Sequence, residues 1–167
     1  MFKKLIVAMM LLIPMGLCAQ QKFGHVNSAA IIPLMPEYTT SQNEIQTLQK
    51  QYEDEIKRMQ DEFNKKLEEF EAQKATLPAN IAERRQTELQ ELYSRIQQYT
   101  QEGQQHMEKA YQEKMGAISE KLKAAIKEVG VAGGYVYIMD VAAGVPYISE
   151  TLSVDVTETV KAKLGIK

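Results

Sequence analysis

The stretch that decides the fold is IQTLQKQYEDEIKRMQDEFNKKLEEF, residues 45–70, which contains neither glycine nor proline. Its apolar residues are Ile45, Leu48, Tyr52, Ile56, Met59, Phe63, Leu67 and Phe70, spaced by 3, 4, 4, 3, 4, 4 and 3. That spacing keeps them on one stripe of an α-helix. The repeat is eleven residues, as Ile45, Ile56 and Leu67 show, and three turns per eleven residues is close to the period of a straight helix. The pattern predicts a nearly straight helix from about Pro36–Glu37 to Thr76. At 1.5 Å per residue, the part from Ser41 onward is about 50 Å long.

Leu77-Pro78-Ala79-Asn80 interrupts the stripe, with a proline placed to start a second helix. The stripe resumes at Ile81 and Leu89, and eleven-residue spacing returns in Ile96, Met107, Ile118 and Val129. Two long helices of matching period joined by a short link are expected to be antiparallel neighbours, with the arm over residues 41–129 and its tip near 77–80. Gly103 stands on the core stripe seven residues after Ile96. Glycine costs about 1 kcal/mol in a helix interior, so Gly103 is either a close-contact position or a hinge candidate.

Outside the arm the pattern changes. Phe23 to Asn27 reads as a strand entering a turn, and Pro33 and Pro36 forbid a long helix through the connector that follows. Val129-Gly130 is the expected stop of the second helix. Tyr135 to Asp140 is rich in aromatic and β-branched residues and reads as a strand. Val145-Pro146-Tyr147-Ile148 reads as a second, edge strand, because proline cannot donate to the ladder. Asp155 as an N-cap, Glu158 three residues on and Gly165 as a stop mark a short closing helix. The fold class expected is α+β: a small β body (residues 20–40 and 130–167), made of a strand, then two strands and a C-terminal helix, interrupted by a long antiparallel helical coiled-coil hairpin. So small a body is marginal alone, and oligomerisation is the expected remedy.

At the N-terminus, Lys3 and Lys4 precede an apolar run from Leu5 to Met15, and the chain turns polar at Gln20. This is the layout of a secretory signal peptide, residues 1–19, with cleavage after Ala19. Leu17 before Cys18 argues against lipoprotein attachment, since that processing prefers a small residue there. Cleavage removes the single cysteine, and with it any disulfide, thiol nucleophile or thiolate metal site. The remaining 148 residues carry 18 basic and 22 acidic side chains, a formal charge of −4, which gives no support for a nucleic-acid partner.

Enzymatic constellations are not legible. The histidines, His25 and His106, are far apart in sequence, and no ligand-spaced His, Asp or Glu accompanies His25. The pairs Asp54-Glu55, Asp61-Glu62 and Glu68-Glu69 fall between stripe positions among lysines, as on the solvated face of a coiled coil. Gly133-Gly134 lacks a phosphate-loop context. No catalytic residue, metal or cofactor is expected.

Taken in order, Lys22-Phe23-Gly24-His25-Val26-Asn27-Ser28, Gly134 to Asp140 with Val145-Pro146-Tyr147, and Val154 to Val160 resemble the Skp/OmpH family of periplasmic chaperones across essentially the whole mature chain. The resemblance implies a homotrimer whose β bodies join in a hub, with three helical arms around a cavity that holds unfolded outer-membrane proteins without ATP. It places the protein in the periplasm, without stable membrane insertion. Phe23, Val26, Tyr135, Tyr137, Ile138 and Met139 become hub candidates. The proteobacterial members are strongly basic and this chain is not, so client contact is assigned to apolar groups, with Leu77, Tyr93 and Tyr99 as candidates; packing against the partner helix is the other reading of all three. A structural or adaptor coiled coil of the envelope is the alternative function. A cytosolic prefoldin-like holder shares the hairpin but not the export signal.

Overall fold

The computed structural model describes residues 21–166; the expected signal segment, with Cys18, lies outside them. Two compact units divide the chain, one containing residues 21–32 and 121–166, the other Pro33–Glu120.

In the second unit, helix α2 (Pro36–Gln73) starts with Pro36 in its first turn, where the missing amide costs nothing. It ends in a tight turn in which Gln73 O accepts from the amides of Thr76 and Leu77. Pro78 O then accepts from Ile81 and Ala82 and opens helix α3 (Ala79–Gly133). The two run antiparallel, as cross-links of reversed register show: Glu44 pairs with Lys114, Tyr52 with His106 and Phe63 with Tyr93. Met59, Leu92 and Ile96 form the buried cluster of this hairpin, with Phe63 and Tyr99 packed on it. Of the carboxylates between stripe positions, Glu62 pairs with Lys66 and Glu55 with Arg58 along the helix, at i,i+4 and i,i+3 spacing. Exposed pairs of this kind contribute little each, because solvent screens them.

In the first unit, strand β1 (Lys22–Val26) is followed by one turn of helix α1 (Ser28–Ile31), capped by Asn27, whose Oδ1 accepts from the Ala30 amide at 3.2 Å. A 3-10 turn over Ile32–Leu34 completes the proline-punctuated connector. Helix α3 runs past the expected stop at Val129-Gly130 to Gly133, and Gly134, at φ 64°, turns the chain. The three extra residues bring Gly133 O within 3.3 Å of Lys22 Nζ, at the start of β1. Strand β2 (Tyr135–Asp140) therefore begins beside Lys22 and runs parallel to β1.

The expected edge strand at Val145–Ile148 is not formed. Gly144, at φ 81°, ends a 3-10 turn over Val141–Ala143, and Pro146 has no amide to donate. Ser149 then nucleates a local turn, its carbonyl accepting from Ser153 and its hydroxyl from the Leu152 amide. That turn leads the chain to the other edge of β1, where strand β3 (Ser153–Asp155) pairs in parallel. The sheet order is β2-β1-β3 and every pair is parallel, so β2 and β3 flank β1 on opposite edges and do not pair with each other. Helix α4 (Thr157–Lys163) follows directly. Its N-cap position is Val156, one residue later than expected, but Asp155 Oδ1 still accepts from the Thr157 amide at 2.9 Å. Gly165, at φ 72°, ends it as expected. Val26, Ile31, Val156 and Val160 are almost fully buried and make the core of this unit.

Candidate functional surfaces

Parallel pairing puts register partners on the same face of the sheet. One face carries Gly24 and Ile138, and Gly24 needs its missing side chain there: a Cβ would come within 3.1 Å of both Ile138 and Tyr135. The other carries Phe23 beside Tyr137, with ring centres 4.9 Å apart, and His25 beside Met139. Tyr137 is 50% exposed and Met139 45%. The six hub candidates are thus divided. Val26 is consumed by the core of its own unit, and Tyr135 and Ile138 pack about Gly24, while Phe23, Tyr137 and Met139 line an open cleft of about 310 Å³. Tyr147 and Leu152 border the same cleft and are 79% and 72% exposed. The sequence reading missed these two; the only signal was a large apolar residue in a segment without a regular period.

His25 Nδ1 lies 2.8 Å from Ser153 Oγ, a link between β1 and β3. Asp155 follows on β3. Hydrogen bonds from the Thr157 hydroxyl and then its amide hold the Asp155 carboxyl below its ordinary value, more strongly than burial raises it. These contacts fasten the strand to the closing helix. No group of three or more His, Cys, Asp or Glu among the described residues could hold a metal ion.

On the hairpin, Gly103 is buried under Tyr52: a Cβ there would meet Tyr52 Cδ1 at 2.7 Å. The Tyr52 ring is 5.2 Å from that of Tyr99, and its hydroxyl is 2.8 Å from His106 Nδ1. His106, exposed on α3, thus has a cross-hairpin partner. Desolvation against the hairpin pushes the Tyr99 phenol up, with the Glu55 carboxylate adding to it. Of the three client-contact candidates, Tyr99 is half-buried in this cluster, Leu77 is half-buried at the tip, and Tyr93 is 53% exposed beside Phe63. No described helix is long and apolar enough to cross a membrane.

A small parallel sheet whose first two strands are separated by a long antiparallel helical hairpin, with apolar side chains left open on both units, defines a helical-hairpin protein whose apolar surfaces are suited to binding other polypeptides. The sequence pattern of the family described as outer membrane protein (OmpH-like) matches residues 22–164, and the chain belongs to that family. Among solved structures it is similar to a candidate outer membrane chaperone, OmpH-like, from Caulobacter crescentus, with a TM-score of 0.73 and 20% identity over 87% of this chain and 85% of that one. At that identity the likeness concerns the fold. No curated protein matches the sequence.

Proposed function

We propose that this protein is an ATP-independent holding chaperone of the periplasm that keeps unfolded outer-membrane proteins from aggregating. The observation that carries the reading is the family match over nearly all the described residues. The fold of the Caulobacter crescentus protein supports it, as does the apolar surface left on the hairpin at Leu67 and Tyr93. In this reading residues 1–19 are an export signal, and the protein is a homotrimer joined through the Phe23, Tyr137 and Met139 face, with Tyr147 and Leu152 beside it. Holding needs no energy input: a bound client is withdrawn from the pool that aggregates, and folding into the membrane draws it off by mass action. Gly103 is retained as the candidate for flexure of the arm.

The test is light scattering on the purified mature protein, followed by its ability to keep an unfolded outer-membrane barrel protein soluble at matched concentration. A trimer that keeps the barrel soluble is expected. A monomer or dimer without effect on aggregation overturns the proposal and leaves a structural coiled coil of the envelope.

A further inference from the structure

Near the end of the hairpin the two helices leave part of their apolar stripe uncovered. Leu67 occupies a core position in the eleven-residue spacing of α2 yet is 37% exposed, and Tyr93 of α3 is 53% exposed. With Phe63, Phe70 and Leu89 they line a cleft of about 360 Å³. Leu67 and Glu71 also border a neighbouring cleft together with Asp61, Glu68 and a single cation, Lys65. Asp61 and Glu68 make no ion pair or hydrogen bond among the described residues, so their charge faces solvent unneutralised by contact.

One edge of the groove already holds an ammonium group. Lys74 Nζ lies 5.7 Å from the centre of the Phe70 ring and 3.9 Å from Glu71 Oε1, between an aromatic face and a carboxylate. Both partners attract a cation, the ring through its quadrupole and the carboxylate through its charge. The surrounding field has the same sign: from Pro33 to Glu120 there are 17 acidic and 11 basic side chains, while the whole chain is only at −2.

We propose that this groove binds an extended, unfolded segment in which aromatic or large aliphatic side chains alternate with lysine or arginine, and discriminates against the same segment carrying acidic residues. The inference rests on the holding-chaperone reading and gives its arm a selectivity. Apolar side chains of the segment enter beside Leu67 and Tyr93, and its cations meet Asp61 and Glu68. An acidic segment of equal hydrophobicity gains the same apolar contacts but meets like charges. Exposed ion pairs are individually weak, so two of them separate the segments by about tenfold at low salt.

The experiment uses the full mature protein and two labelled synthetic peptides of identical Phe and Leu pattern, one with lysine and one with glutamate between them, followed by fluorescence anisotropy. The lysine peptide is expected to bind about tenfold more tightly. The gap should close at about 1 M salt, where the screening length is about 3 Å. It should invert when Asp61→Lys and Glu68→Lys are combined, both being exposed helix positions, with far-ultraviolet dichroism checked to be unchanged. Leu67→Ser with Tyr93→Ser should weaken both peptides alike. Equal binding of the two peptides, or a preference unchanged by the double lysine substitution, overturns the proposal. A wild-type protein that keeps an unfolded barrel soluble but does not discriminate between the peptides removes the groove and leaves the holding reading standing. Failure to keep the barrel soluble removes the holding reading, and the peptide preference still decides the groove.

Discussion

The ring of Tyr52 occupies the space that a side chain on Gly103 would need, with Cδ1 2.7 Å from the place of a Cβ. Overpacking costs typically 1–3 kcal/mol, whereas replacing glycine by alanine in a helix returns about 1 kcal/mol. Gly103→Ala is therefore expected to destabilise the protein by about 1 kcal/mol in chemical denaturation. In a Tyr52→Ala background the same substitution should stabilise by about 1 kcal/mol. A change of sign between the two backgrounds is the signature of the contact; the same sign in both means that the helices part at Gly103 without it.

Ile31 and Leu34 lie three residues apart in the connector and test how sharply burial is divided there. Ile31 is fully buried and Leu34 is 49% exposed. Ile31→Ala should cost about 2–5 kcal/mol and Leu34→Ala no more than about 0.5 kcal/mol. Comparable losses from the two would contradict the placement of α1.

Asp155 makes the junction of β3 and α4 sensitive to acid. Its folded-state pKa is depressed below the ordinary 3.8 by the Thr157 hydrogen bonds. Its contribution is thus complete above that ordinary value and is lost as pH falls through the folded-state one. Asp155→Ala should cost about 1 kcal/mol at neutral pH, the usual net worth of an intramolecular hydrogen bond. The difference between wild type and variant should shrink as pH drops below about 4. Denaturant titrations at the two pH values check this, and a gap that widens in acid would refute it.

The open sheet face gives a prediction tied to the proposed trimer. Tyr137 is half exposed and stacked on Phe23, so Tyr137→Glu should lower the mass measured by light scattering without altering helical dichroism. Tyr93→Glu, on the hairpin unit, should leave the mass unchanged. Dissociation by the second substitution and not the first would move the interface to the arm.

The hairpin and the stop of the closing helix were legible because their signals are local. An eleven-residue stripe, a proline opening the second helix and the glycine stop at Gly165 each act within a few residues of themselves, through backbone bonds that close over four positions. Strand β3 was not legible. Ser153-Val154-Asp155 is three residues long with little intrinsic strand preference, and it is held by partners far away in the chain: Ser153 by His25, and the next amide, that of Val156, by His25 O. The strand read at Val145–Ile148 had better local character but no partner to pair with. The stop of α3 was misplaced for a related reason, since Gly130 is tolerated inside the helix while Gly134 takes the left-handed conformation that ends it.

Among the candidate surface residues, type and period identified the apolar ones but could not say which would be covered. Leu67 and Met59 occupy equivalent kinds of position on one stripe, yet Met59 is buried under the partner helix and Leu67 is not, because coverage depends on the side chains opposite. The amino-acid sequence alone determined the two long helices and their antiparallel pairing, both consequences of local periodicity. Only the tertiary structure decided that the sheet is parallel, that Tyr52 seats on Gly103, and that Phe23, Tyr137 and Met139 share an open face. Those outcomes depend on contacts between residues 51 to 130 positions apart, whose geometry no local pattern encodes.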